Sequence, residues 1–160
     1  MKKLIILTTL LVGMAAGLNA QSRAIGARIG GNVEFSYQHQ LGGNMLDCSA
    51  GLGFGYHHFG INATVMYDWV FPINSWNHSG AWNWYVGPGG GLGVLIATQN
   101  NNLSIPVALN IGGQIGIEYQ FEFPLNLSLD YRPMINVLGF GDSTWSNLYG
   151  IALGVRYRFN

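Results

Sequence analysis

The last segment of the chain alternates without a break. Tyr149, Ile151, Leu153, Val155, Tyr157 and Phe159 share one parity; Gly150, Ala152, Gly154, Arg156 and Arg158 share the other. Successive strand side chains point to opposite faces, so this is a ribbon with one apolar face and one small or cationic face. The same alternation fills most of the chain before it. Between Arg23 and Gln38, Ile25, Ala27, Ile29, Val33, Phe35 and Tyr37 oppose Arg28, Asn32, Glu34, Ser36 and Gln38. After the turn-like Leu41-Gly42-Gly43-Asn44, the set Leu46, Cys48, Ala50, Leu52, Phe54 and Tyr56 opposes Asp47, Ser49, Gly51, Gly53, Gly55 and His57. From Gly60 to Phe71, Ile61, Ala63, Val65, Tyr67, Trp69 and Phe71 face away from Asn62, Thr64 and Asp68.

A polar connection, Pro72 to Gly80, leads to Trp82–Ala97, with Trp82, Trp84, Val86, Leu92, Val94 and Ile96 on one face. Pro88, inside Gly87-Pro88-Gly89-Gly90-Gly91, is expected to interrupt this stretch because proline cannot donate to a ladder. Thr98 to Asn102 reads as a loop. Ser104 to Phe121 reads as one long strand, with Asn110, Gln114, Glu118 and Gln120 on its polar side. Past a turn at Glu122-Phe123-Pro124, Leu125, Leu127, Leu129 and Tyr131 oppose Asn126, Ser128, Asp130 and Arg132. Leu138 to Asn147 reads as the last loop. Seven strands are evident, the first three each long enough to cross a bilayer when tilted. Membrane barrels of the bacterial type carry an even number, so an eighth is expected. It arises either from a turn at Gly30-Gly31-Asn32 or from one at Pro88 to Gly90, and the pattern does not choose between them.

Alternation alone does not say which face looks inward. A soluble, lipocalin-like carrier would place the apolar side chains inside. Composition favours the opposite sign: only 9% of residues are charged while 49% are hydrophobic, against about 25% charged in soluble domains. The charges fall on the face opposite the apolar one, and rings gather at strand ends. The prediction is an all-β, closed antiparallel transmembrane barrel, polar and filled with side chains inside, with lipid outside. Lys2 and Lys3, the apolar run Leu4–Ala16 and Leu18-Asn19-Ala20 read as an export signal removed after Ala20. That leaves 21–160 as one domain. Net charge is zero, so nucleic acid has no electrostatic claim on the chain. A lone Cys48 excludes an internal disulfide.

The leader, the alternating strands and the end Gly154-Val155-Arg156-Tyr157-Arg158-Phe159 together resemble the small bacterial outer-membrane barrels of the OmpA/OmpX-like family. Gly154, Tyr157 and Phe159 match the C-terminal assembly signal of such proteins; Ala152 stands where a polar residue is usual, and Asn160 extends past the terminal aromatic. The resemblance implies a Gram-negative outer-membrane location. It also implies insertion by the barrel-assembly machinery and outer-membrane lipids as neighbours, with a monomer expected; because the sequence ends on the last strand, no peptidoglycan-binding domain is expected after the barrel. The family has no single activity.

Candidate chemistry is sparse. The inward charges are Arg28, Glu34, Asp47, Asp68, Glu118, Asp130, Arg132, Arg156 and Arg158. In a narrow lumen they are expected to pair and close it, a structural plug rather than an open pore. Tyr67, Trp69, Phe71, Trp82, Trp84, Tyr119, Phe121 and Phe123, with Tyr157 and Phe159, read as interfacial girdles. Trp76 and Trp145 are the candidates for a sugar-binding platform instead. His39, His57, His58 and His78 show no ligand spacing, so no metal or other cofactor is expected. Ser36, Ser49, His57 and His58 are the parts from which a lipid-modifying enzyme would have to be built, with nothing to fix their geometry. Gly87–Gly93 lacks the Lys-Ser/Thr and helix of a phosphate loop. Asn77-His78-Ser79 is a chance sequon.

Overall fold

The computed structural model describes residues 22–55, 58–76, 79–99, 102–140 and 150–159. The expected export leader, Tyr56, His57, Asn77, His78, Trp145, Tyr149 and Asn160 lie outside the described residues, and of His58 only the backbone is described. Ten strand segments follow one another: β1 Arg23–Gly30, β2 Val33–Leu41, β3 Asn44–Gly55, β4 His58–Pro72, β5 Ala81–Gln99, β6 Asn102–Ser104, β7 Val107–Gln120, β8 Leu125–Tyr131, β9 Met134–Phe140 and β10 Ile151–Phe159. A single 3-10 turn, Asn74–Trp76, lies between β4 and β5. All ladders are antiparallel. β1 pairs with both β2 and β10, and the chain of pairings continues through β8, β7, β5, β4 and β3 back to β2, which closes the sheet.

Two prolines account for the difference between ten segments and eight staves. Pro106 separates β6 from β7, and Pro133 separates β8 from β9. Each pair continues along one line of the barrel, β8 and β9 both against β7. The long strand expected from Ser104 is therefore broken at Ile105-Pro106. The stave expected to end at Arg132 instead runs on to Phe140, so Leu138–Phe140 belong to a strand and not to a loop. Proline supplies no N–H, and the local ladder lapses without ending the stave.

The eighth stave comes from the turn at Gly31-Asn32, with Arg28 directly opposite Glu34. The alternative split does not occur: β5 runs through Pro88, contrary to the expected interruption. On the β7 side Pro88 stays paired with Gly113. On the β4 side pairing stops after Met66↔Gly89 and resumes in the same register at Trp69↔Val86. Pro88 points outward, where a missing donor costs one rung and no side-chain position. Thr98, Gln99 and Asn102, expected in a loop, are strand residues, with Gln99 paired to Asn102. The β2–β3 turn places Gly42 at φ 68°, where a residue with a Cβ would be strained.

Burial fixes the sign of the pattern. Arg156, Asp47 and Asp68 are fully buried, whereas Ile151 is 59% exposed and Leu92 55%. Ile29, Val33, Phe35, Ile61, Val65, Ile111, Ile115, Leu129, Ile135 and Leu153 join them outside. Apolar residues outside and ions inside are the reverse of a lipocalin-like carrier. Such an exterior is stable only where the surroundings are as apolar as the side chains.

Candidate functional site

The lumen is where the chain's chemistry gathers. Parity sends every second residue of each stave inward, and short polar or ionic side chains occupy those positions. Arg28 donates from Nη1 to Glu34 at 3.0 Å and from Nε to Asp130 at 2.8 Å, with Nη2 also reaching the Gly150 carbonyl at 3.1 Å. Arg132 bonds Gln114 at 2.7 Å and Ser49 at 2.9 Å, and pairs with Glu34 at 3.4 Å and Asp47 at 3.6 Å. Arg156 donates to Ser36 at 2.8 Å, Ser128 at 2.6 Å and Asp47 at 3.3 Å. Gln38 donates to Asp47 at 3.2 Å, and Tyr85 reaches Asp130 at 3.4 Å. Three guanidiniums and three carboxylates thus tie β1, β2, β3, β8 and β10 together across the interior.

Room for these large groups comes from glycine beside them on the same or the adjoining stave. A Cβ at Gly154 would collide with Ser128 Oγ and the Arg156 guanidinium; one at Gly116 would collide with the Tyr85 ring. Buried ions are tolerable when their remaining donors and acceptors are largely met; the serines and amides meet most of them, while Arg132 Nη2 has no hydrogen-bond partner among the described residues. Ser36 and Ser49, considered as parts of a catalytic site, have their hydroxyls engaged by Arg156 and Arg132. The sequence had singled out the ions but not Gln38, Tyr85, Gln114 or Ser128. Their signal was present in the inward parity alone.

The remaining charges sit apart. Glu118 accepts from Gln120 at 2.7 Å and from Asn126 at 3.4 Å. Arg158 donates to Gln120 at 3.0 Å and to the Phe121 carbonyl at 3.1 Å, near the rim. Asp68 is buried with neither carboxylate oxygen hydrogen-bonded among the described residues. The ionic cluster separates two spaces. Away from the termini lies a polar cavity of ≈ 40 Å³ lined by Arg28, Asn62, Thr64, Asn110 and Arg132. At the end carrying the termini, a mouth of ≈ 620 Å³ opens between Gln40, Val70, Asn83, Gln120 and Arg158. No group of three His, Cys, Asp or Glu able to hold a metal occurs among the described residues.

The predicted girdle residues meet one another at the termini end. Phe71 stacks on Trp84 at 4.5 Å, Tyr67 meets Trp69 edge-on at 6.2 Å, and a run of rings links Trp82, Tyr119, Phe121 and Phe123 at 4.6–4.8 Å. Trp76 packs edge-on against Trp82 at 5.6 Å, so it extends this run rather than standing free as a platform. Of the terminal residues, Gly154 faces the lumen, while Tyr157 points outward at the same rim.

A closed, eight-staved antiparallel barrel, greasy outside and ionic within, has the fold of a small outer-membrane β-barrel. Among solved structures, it is similar to Neisserial surface protein A (NspA), with a TM-score of 0.56 and 12% identity over 87% of this chain and 94% of that one. It is also similar to a major outer membrane protein of Thermus thermophilus, with a TM-score of 0.48 and 14% identity over 88% of this chain and 100% of that one. At such identities the fold is what is shared. No family model and no curated protein sequence matches the chain.

Proposed function

We propose that this protein is an integral outer-membrane barrel with a structural or surface-interaction role in the envelope, and that it forms no open pore. The observation that carries the reading is the sorting of side chains about one closed wall: an uninterrupted apolar exterior around a lumen cross-linked by Arg28, Arg132 and Arg156. The exterior suits acyl chains, and the aromatic run at one rim suits a headgroup layer. The ionic cluster supports closure, because charges from opposite walls meet in the centre. The likeness of fold to NspA, a surface protein by its name, agrees with the location.

Both termini lie at the rim with the aromatic run, which in barrels of this kind faces the periplasm. At the opposite rim lie the strand ends Gly30, Val33, Gly55, His58, Gln99, Asn102, Phe140 and Ile151. A surface role therefore falls on that rim. Insertion by the barrel-assembly machinery through Gly154, Tyr157 and Phe159, a monomeric state and the absence of enzymatic activity belong to the same reading.

The test is fractionation followed by electrophysiology. The protein is expected to stay in urea-washed outer membranes, to migrate faster on gels unheated than boiled, and to give no sustained current in planar bilayers. Recovery in the soluble periplasm would overturn the location, and large stable openings would overturn the plug. Mass spectrometry of envelope lipids incubated with the purified barrel tests the non-enzymatic reading, which a reproducible modification would refute.

A further inference from the structure

One carboxylate in the lumen has no hydrogen-bond donor among the described residues. Glu34, Asp47 and Asp130 each meet a guanidinium, and Glu118 is held by two amides. Asp68 is fully buried, yet neither of its oxygens has a donor among the described residues. The surrounding wall explains why. Met45 lies directly across on β3. Met66 and Val70 are the inward residues before and after Asp68 on β4. On the β5 side Gly87 presents no side chain, and a Cβ there would collide with the Tyr67 carbonyl. Nothing in this frame can donate a hydrogen bond.

The frame does offer sulfur. Met45 and Met66 are 1% and 0% exposed, among the largest fully buried side chains of a lumen filled mostly with ions, amides, hydroxyls and small residues. The Met66 sulfur lies over Gly89, the inward position next to Gly87, since a Cβ at 89 would strike its Sδ. Arg132 and Arg156 act on Asp68 only through space, against Asp47 and Asp130, and a buried carboxylate with no contacting partner is unfavourable. Thioethers are soft donors suited to monovalent d10 ions such as Cu(I). One such ion would bring a positive charge into contact with Asp68. Val70, one inward position from Asp68, lines the open mouth at the termini end, which provides an approach.

We propose that Asp68, Met45 and Met66 form a binding site for a soft monovalent metal ion, reached from the mouth at the termini end.

Ag(I), which resists oxidation, is the probe. The full-length protein, refolded in detergent with Cys48→Ser so that the thiol cannot capture silver, is titrated by calorimetry and weighed by native mass spectrometry. One ion per chain is expected. Asp68→Asn, Met45→Leu and Met66→Leu should each weaken binding about tenfold or more, while Met134→Leu, at the other lumen methionine, should not. These changes nearly conserve volume, and heat-dependent gel migration checks each fold. X-ray absorption on the silver-loaded Cys48→Ser protein, independent of the site substitutions, should show two sulfur neighbours. Absence of a stoichiometric ion, or binding indifferent to Met45 and Met66, would overturn the proposal. So would an infrared carboxylic-acid band that Asp68→Asn removes and silver leaves unmoved, because a proton would then supply the compensation.

Discussion

Arg156 shows at the residue scale what the lumen demands of a side chain. It is fully buried, and its three nitrogens reach Ser36, Ser128 and Asp47 from one position on β10. Arg156→Met removes the charge and keeps much of the volume, leaving Asp47 with Arg132, at 3.6 Å, as its one ion-pair partner among the described residues. Stranding a buried charge in this way should destabilise the barrel by about 3–5 kcal/mol, read from urea unfolding in lipid vesicles. Adding Asp47→Asn to that variant should restore part of the loss, because the uncompensated carboxylate goes with it. A double variant no more stable than Arg156→Met alone would mean that the arginine acts through packing rather than charge.

At the scale of an element, each stave is a two-sided object, and its faces respond oppositely to the same substitution. Leu129 on β8 is 51% exposed, with Ser128 and Asp130 buried on either side of it. Leu129→Arg puts an ion against lipid and should cost about 2–4 kcal/mol near the bilayer midplane, measured in the same unfolding assay. Pro88 makes a subtler case. Its ladder to β7 is intact while that to β4 lapses across two residues. Pro88→Ala offers the missing N–H to the Tyr67 side and should stabilise the barrel by about 0.5–1.5 kcal/mol, the net worth of one hydrogen bond. Amide exchange should then show added protection around Tyr67 and Asp68.

For the whole molecule, closure is the controlling fact. Pairing β1 with β10 leaves the sheet without an edge, so every stave has two neighbours and the lumen is reached only from its ends. Because Arg28 and Arg132 share Glu34, opening that space means breaking several ion pairs together. Replacing Arg28, Arg132 and Arg156 together by Ala should produce measurable current in planar bilayers if the barrel still folds, whereas the unmodified protein should carry none. A short Gly-Ser insertion between Gly31 and Asn32 should leave folding and gel migration unchanged, since that turn lies outside the ladder between β1 and β2.

Period-two alternation over most of the chain determined that it forms strands and which residues share a face; the composition, poor in charge and rich in apolar residues, then put Arg28, Glu34, Asp47, Asp130, Arg132 and Arg156 on the inner face. That information is local, and a strand's parity carries it without knowledge of neighbours. It did not reveal that Pro88 is tolerated while Pro106 and Pro133 divide their staves. Nor did it show that the turn falls at Gly31-Asn32, because a proline's effect depends on whether its nitrogen faces a partner that needs it. The pairing inside the lumen was equally out of reach. Arg28 meets Asp130 across 102 positions of sequence, and Asp68 has no donor among the described residues although Asp47 has several. Barrel closure sets those distances: stave register brings remote inward residues to one height, and only the three-dimensional arrangement decides which charge finds a partner.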